Sequence, residues 1–351
     1  MKRTFVAVAA ALTSAVLLAG CSSGSSTTPA AGASESAAGD ADGALVLYVG
    51  RSEKLVGPLL DKLEAEVGRD VEVQYAGTAE LAAKLMEEGD RSPADVYFSQ
   101  DAGALGALKK NDMLRPLADA TVAGIDKTWV DADKAWVATS GRARVVAYNP
   151  EITPAGADLK SVDDLLKPEF ADKIGYAPTN ASFQSFVTAL RVAKGEDGAK
   201  KWLQDFKALN PKVYANNNAA LEAVERGEVG LGLINHYYWY KFADGKNPAD
   251  VKSKLTFFPA SDPAGLINVA GAGILKSTKK PEAAEKAIAF LLSEESQKYF
   301  ADDTAEYPVR SDVTPKYDLQ PLDLSDASKI DLNDLDSLDA TQAMMRDVGM
   351  I

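Results

Sequence analysis

Gly227-Glu-Val-Gly-Leu-Gly-Leu-Ile-Asn-His-Tyr-Tyr-Trp-Tyr-Lys-Phe242 decides how this chain is read. Its glycine-punctuated apolar run, Val229 to Ile234, has the length and bounding turn residues of a buried strand. Asn235 has the chemistry of a helix N-cap, so a helix is expected to start here. A strand that runs straight into a helix puts its last residues at the carboxyl edge of a sheet, where open α/β folds bind ligands. Tyr237 and Tyr238 are therefore expected to project their oxygens into a cleft. Adjacent tyrosines are most often packing residues. Two phenols, each with a pKa of about 10, are both ionised only beside a strong positive partner, and ferric iron is such a partner.

Upstream, Ala44 to Val49 reads as a short apolar strand, and Leu55, Leu59, Leu60, Leu63 and Val67 follow at helical spacing up to a C-cap at Gly68. A strand over Val71 to Tyr75, a helix from Thr78 to Glu88, a strand over Ala94 to Phe98 and a helix from Ala102 to Lys110 complete a βαβαβα pattern. That pattern gives a parallel sheet with helices on both faces. Trp129 to Ala138 is expected to carry the first crossover to a second lobe. There, strands are expected at Val145 to Tyr148 and Ile174 to Ala177, with a helix after Thr179-Asn180-Ala181-Ser182. Small polar residues before a helix offer N–H groups and a dipole to an anion. Ile267 to Ile274 is expected to return to the first lobe, followed by helices over Pro281 to Leu292 and Glu294 to Phe300. The Asp- and Leu-rich tail supports only weak helices.

Several runs resemble the bacterial ferric-ion-binding proteins, the solute-binding components of iron ABC importers. They are Pro93-Ala-Asp-Val-Tyr-Phe-Ser-Gln100-Asp101, Ser140-Gly-Arg142-Ala-Arg144-Val-Val-Ala-Tyr-Asn149, Ala177-Pro-Thr-Asn-Ala-Ser-Phe183, Asn217-Asn-Asn-Ala-Ala-Leu-Glu-Ala-Val-Glu-Arg-Gly-Glu-Val and Leu-Ile-Asn235-His-Tyr237-Tyr238-Trp-Tyr. The resemblance spans roughly residues 45 to 310. It implies an α/β, two-lobed, periplasmic-binding-protein-like fold, each lobe a mostly parallel sheet flanked by helices, with the cleft between them. The expected lobes are residues 44–143 plus about 268–318, and 144–267 plus about 319–351.

The resemblance further implies Fe(3+) as cargo with a synergistic anion, carbonate or phosphate. Tyr237 and Tyr238 are the implied metal ligands, and Tyr176 is a candidate third phenolate. Arg144, Asn180, Ala181, Ser182, Asn217 and Asn235 are the implied anion contacts. Ser52, Gln100 and Asp101 are expected to line the cleft. In the family the turns at Ser52 and Gln100 can supply a histidine and an acidic ligand. Here both positions are uncharged, and Glu53 and Asp101 one residue along read as solvated or capping groups. The same-fold alternative is a receptor for a small anion or an organic iron chelate.

Lys2 and Arg3, the mostly apolar run from Thr4 to Ala19, and Leu18-Ala-Gly-Cys21 read as a secretory signal over residues 1–20 with a bacterial lipobox. Cys21 is the only cysteine, which excludes an intrachain disulfide and makes it the candidate lipidation site. Residues 21–43, rich in Ser, Ala, Gly and Thr, read as a flexible tether. The expected location is extracytoplasmic, anchored to the cell membrane by lipid alone, with an ABC permease and its ATPase as partners and the chain a monomer.

The formal charge of −13 argues against nucleic acid, and no basic stripe offsets it. The chain has no Gly-x-Ser-x-Gly elbow and no His-Glu-x-x-His motif, so an enzyme is not expected. His236 is the sole histidine; with side chains alternating at the strand end, it is expected to face away from the cleft if Tyr237 faces into it.

Overall fold

The computed structural model describes residues 43–322 and 331–351. The expected signal peptide, Cys21 and most of the tether lie outside the described residues.

The first sheet starts with β1 (Leu45–Val49), β2 (Val71–Tyr75) and β3 (Val96–Ser99), parallel in the order β2-β1-β3. Between them run α1 (Glu53–Leu60), α2 (Leu63–Val67) and α3 (Thr78–Glu88), and α4 (Ala102–Lys110) follows β3. Gly68 ends α2 at φ 73°, a left-handed conformation that glycine reaches without a Cβ penalty. Every residue of β3 is buried, as expected for a strand covered by helices on both faces. A short β4 (Leu114–Arg115) joins this sheet through a later strand.

β5 (Val137–Tyr148) is twelve residues long and buried throughout. Its first half pairs within the first sheet, up to Ala143, and its second half pairs within a second sheet, from Arg144. The crossover therefore falls in the middle of one strand, later than the expected Trp129 to Ala138. The second sheet adds β6 (Ile174–Tyr176), β7 (Lys212–Val213), β8 (Leu231–Asn235) and β9 (Lys254–Thr256). Its helices are α5 (Ala181–Ala208), α6 (Asn217–Glu225) and α7 (His236–Ala243). α5 is two helices joined at a kink, where Gly195 sits at φ 69°. β10 (Ile267–Leu275) returns to the first sheet, antiparallel between β3 and β5.

Two lobes thus share β5, with α8 (Pro281–Leu291) and α9 (Glu294–Asp302) packed on the first. The first lobe's core is mostly aliphatic, with Leu47, Leu59, Val96 and Ile288 fully buried. The second is aromatic, with Trp202 stacked on Phe206 at 5.1 Å and 13°. The tail, expected to belong wholly to the second lobe, divides. A 3-10 turn at Leu332–Asp336 packs on α4 of the first lobe, while α10 (Leu338–Val348) packs on α5 of the second.

Candidate functional site

At the end of β8 the backbone of Asn235 is extended, at φ −97° and ψ 151°, and the next residue begins α7. Asn235 makes no side-chain cap; its Oδ1 instead accepts from Arg144 Nη1 at 3.5 Å. Neighbouring side chains diverge along a strand, but this turn brings two of them together. The rings of Tyr237 and Tyr238 lie 4.3 Å apart at 31°. Burial, and then the neighbouring phenol of Tyr238, push the Tyr237 hydroxyl well above its ordinary range, against the pull of Arg142. Burial pulls the Arg144 guanidinium down to about 9, against the opposing influence of the Tyr238 and Tyr237 hydroxyls. The two phenols, both half-buried, thus stand close enough to the guanidiniums to feel their charge, although of these four side chains only Arg142 and Arg144 are among the residues that line the cleft.

Arg144 is 3% exposed. It donates to Ser182 Oγ at 3.1 Å and to the Leu233 carbonyl at 3.1 Å, and its guanidinium lies over the Phe183 and Phe186 rings. Asn180 caps α5 by accepting from the Ser182 amide at 3.0 Å. Asn217, fully buried, donates to Ser182 Oγ at 2.9 Å. The capping duty at α6 belongs to its neighbour Asn216, which accepts from the Ala219 amide, and Asn217, though bonded to Ser182, does not itself line the cleft. Arg144, Asn180, Ser182, Asn217 and Asn235 thus form one connected polar cluster at the N-termini of α5 and α6. Within it Arg144 Nε and Asn217 Oδ1 are buried without a protein partner.

This cluster opens on a cleft of about 750 Å³ whose lining includes Gln100, Asp101, Arg142, Arg144, Ala181 and Asn235. Ser52 stands outside it: the residue is exposed, and Gly50 of the same turn lines the cleft instead. Glu53 is exposed as well. Asp101 caps α4 through the Gly103 amide at 2.8 Å and accepts from Ser185 Oγ of the second lobe at 2.8 Å. Arg142 is 5% exposed and donates to the Gln100 carbonyl. Among the described residues no group of three or more His, Cys, Asp or Glu is placed to hold a metal ion.

The model for the family described as "Bacterial extracellular solute-binding protein" matches residues 91–337. The chain is 35% identical to the major ferric iron-binding protein of Neisseria meningitidis serogroup A, over 87% of this chain and 93% of that protein. This chain is a bacterial extracellular solute-binding protein of the ferric-ion-binding family. Iron-bound HitA from Pseudomonas aeruginosa superposes with a TM-score of 0.76 at 34% identity, over 88% of this chain and 99% of that one. A Trichodesmium protein solved with iron and citrate ligands superposes at 0.70 with 27% identity, over 88% and 99%. Members of this family bind solutes for transport, and this binding protein is accordingly not an enzyme.

Tyr176 and His236 both sit in closely packed, buried surroundings. Tyr176 is 3% exposed and sits in the aromatic core, its ring 5.0 Å from Phe183 and 5.3 Å from Phe206. Burial alone raises its phenol. His236, expected to face away from the cleft, is fully buried, and its Nδ1 accepts from the Ala143 amide at 3.2 Å.

Beneath the cleft turns lies a cluster that local sequence patterns do not reveal. Arg51 pairs with Glu306 at 2.6 Å, both almost fully buried, and Ser140 of β5 donates to the same carboxylate. Burial pushes that carboxyl up, but the Arg51 and Arg142 guanidiniums hold it below its ordinary range. Arg51 also lies over the rings of Phe98 and Phe300. One ion pair thereby fixes the first cleft turn, the crossover strand and the end of α9 against each other.

Proposed function

We propose that this binding protein captures ferric iron with a small synergistic anion and delivers it to a membrane permease driven by an ATPase. The observation that carries the reading is the convergence of Tyr237 and Tyr238 at 4.3 Å beside two buried arginines. Two phenolates leave a trivalent ion with one positive charge, which a dianion such as carbonate or hydrogen phosphate more than offsets. The anion is held by Arg144, Asn180, Ala181, Ser182, Asn217 and Asn235, where Arg144 Nε is a buried donor in need of an acceptor. Anion oxygens and water complete the iron shell, since Ser52 and Gln100 supply no charged ligand. The relatives' names for iron binding support the cargo.

The lobes hinge at the Ala143–Arg144 step of β5 and at β10, closing on the ion. Residues 1–20 act as a signal peptide, Cys21 is acylated, and residues 21–43 tether a monomeric receptor outside the cytoplasm.

Titrating the apoprotein with ferric ion in bicarbonate or phosphate tests the reading, with a visible phenolate-to-iron band at one ion per chain as the expected result. A folded chain that develops no such band overturns it. The second reading, a ferric chelate of an organic acid, is favoured by the paucity of charged protein ligands and by the citrate in the Trichodesmium complex. It predicts that the band forms with citrate and not with the inorganic anions.

A further inference from the structure

The tail is built as two anchors with almost no chain between them. The first is on α4. There Asn333 accepts from Trp136 Nε1 at 3.1 Å and donates to Asp131 at 3.2 Å. The backbones touch: a Cβ added at Gly106 would lie 2.7 Å from the Asn333 carbonyl oxygen, and Gly103 is closed in the same way by Leu335. Glycine at both places lets the tail lie directly on the helix.

The second anchor is on α5, in the other lobe. Arg191 donates to the Ser337 carbonyl at 2.9 Å, to Ser337 Oγ at 2.8 Å and to Thr341 Oγ1 at 2.9 Å. Thr341, fully buried, shares a 2.7 Å hydrogen bond with Thr188, and Met345 of α10 is buried in the second core. Leu335 already touches both lobes, its backbone lying against Gly103 of α4 and its buried side chain packing with Ala189 of α5 and Leu266, and Ser337, held by α5, follows after a single intervening residue. Two residue steps fully extended reach only about 7 Å. Leu335, Ser337, Leu338, Asp339 and Gln342 line the cleft itself.

We infer that residues 331–348 form a strap across the side of the cleft that limits how far the two lobes separate, and so how readily bound solute leaves. β5 and β10 tie the lobes at the hinge, and the strap ties them again beside the binding volume. Lobe separation at that edge stops when the link is taut, unless the turn at Leu332–Asp336 peels off α4. The Asp101–Ser185 bond reinforces the same side, joining the cap of α4 to α5. A tail that merely covers apolar surface on each lobe would place no such limit. The inference rests on the two-lobed fold and not on the identity of the cargo.

The test lengthens the link and leaves both anchors intact. Six residues, Gly-Ser-Gly-Gly-Ser-Gly, are inserted between Asp336 and Ser337 in a Cys21→Ala chain carrying spin labels at Glu87→Cys and Gln204→Cys, both exposed in the native chain. Pulsed electron-electron distances in the apo form are expected to extend by about 5 Å or more, within the slack that six residues provide. Ferric release into excess chelator is expected to quicken in parallel. Native distances in the lengthened chain would overturn the strap. Asn333→Ala, which removes the first anchor's side-chain bonds to Trp136 and Asp131 without altering length, decides the matter if the insertion disturbs folding. Longer distances support the strap, and unchanged ones sink it. Because distances are read without iron, failure of the iron reading leaves this measurement intact.

Discussion

The imidazole of His236 lies 4.5 Å from the ring of Tyr307, tilted by 32°. His236 opens α7 in the second lobe; Tyr307 follows α9 of the first and exchanges backbone hydrogen bonds with Gly141 of β5. The sole histidine is thus a packing group at the seam between the lobes, back to back with the tyrosine pair.

That position has a pH consequence. Burial lowers the His236 pKa to about 4, against about 6.5 in the unfolded chain. The unfolded state therefore takes up a proton first as pH falls. Stability from the neutral imidazole is complete above about 6.5 and is lost between there and about 4, by roughly 3 kcal/mol. Urea denaturation of the apoprotein at several pH values should show this slope, and His236→Asn should flatten it. An equal slope in the variant would assign the loss to other groups.

Tyr237→Phe and Tyr238→Phe each delete one oxygen and keep the ring. Each is expected to weaken ferric binding by at least about 100-fold and to shift or abolish the visible band. Because both phenols begin protonated, binding should release protons and weaken as pH falls. Competition against a chelator at two pH values measures both effects. Unchanged affinity and colour in both variants would make the pair a packing feature.

Arg144→Met keeps much of the side-chain volume and removes the charge. Ferric affinity is expected to fall by about 10- to 100-fold and to lose its dependence on added phosphate or carbonate. An undiminished anion dependence would move the anion site elsewhere.

Glu306→Ala strands Arg51 in a buried position. The expected loss is about 3–5 kcal/mol, because an uncompensated buried charge remains. Arg51→Met combined with Glu306→Leu should recover most of it, since apolar side chains of similar volume replace both ions. Chemical denaturation of the single and double variants makes the comparison, and a double variant no better than the single would mean the pair contributes more than mutual compensation.

Cys21→Ala tests the anchor in cells. The variant is expected to leave the membrane fraction as soluble or unprocessed protein. A native membrane fraction would place the anchor at another residue.

Much of the first lobe was legible because its signals are local. Apolar spacing marks α1 and α2, Gly68 and Gly89 end helices, and the strands between are short and apolar. The tyrosine junction was legible for the same reason: strand run, cap residue and aromatics are contiguous. β5 was read only in part, since Ser140, Arg142 and Arg144 disguise a fully buried strand. Those polar side chains are satisfied by partners distant in sequence, which no local pattern shows. Arg51 and Glu306 are 255 residues apart in sequence, and Asn333 reaches back to Trp136. The tail's division between lobes was hidden likewise, since its docking depends on small residues in α4 that look unremarkable in a helix.

The place of β10 has a consequence for how the chain is made. It lies between β3 and β5, yet it is synthesised after every strand of the second sheet. A nascent chain that has reached Leu266 holds all of the first sheet's strands except the one that joins its halves. β3 and the early part of β5 then present open edges with unpaired amides and carbonyls. Completion of the first sheet waits for Leu275 to emerge, so folding of the two lobes cannot proceed strictly in order of synthesis. A chain arrested anywhere before that residue should be the form most exposed to proteolysis and aggregation.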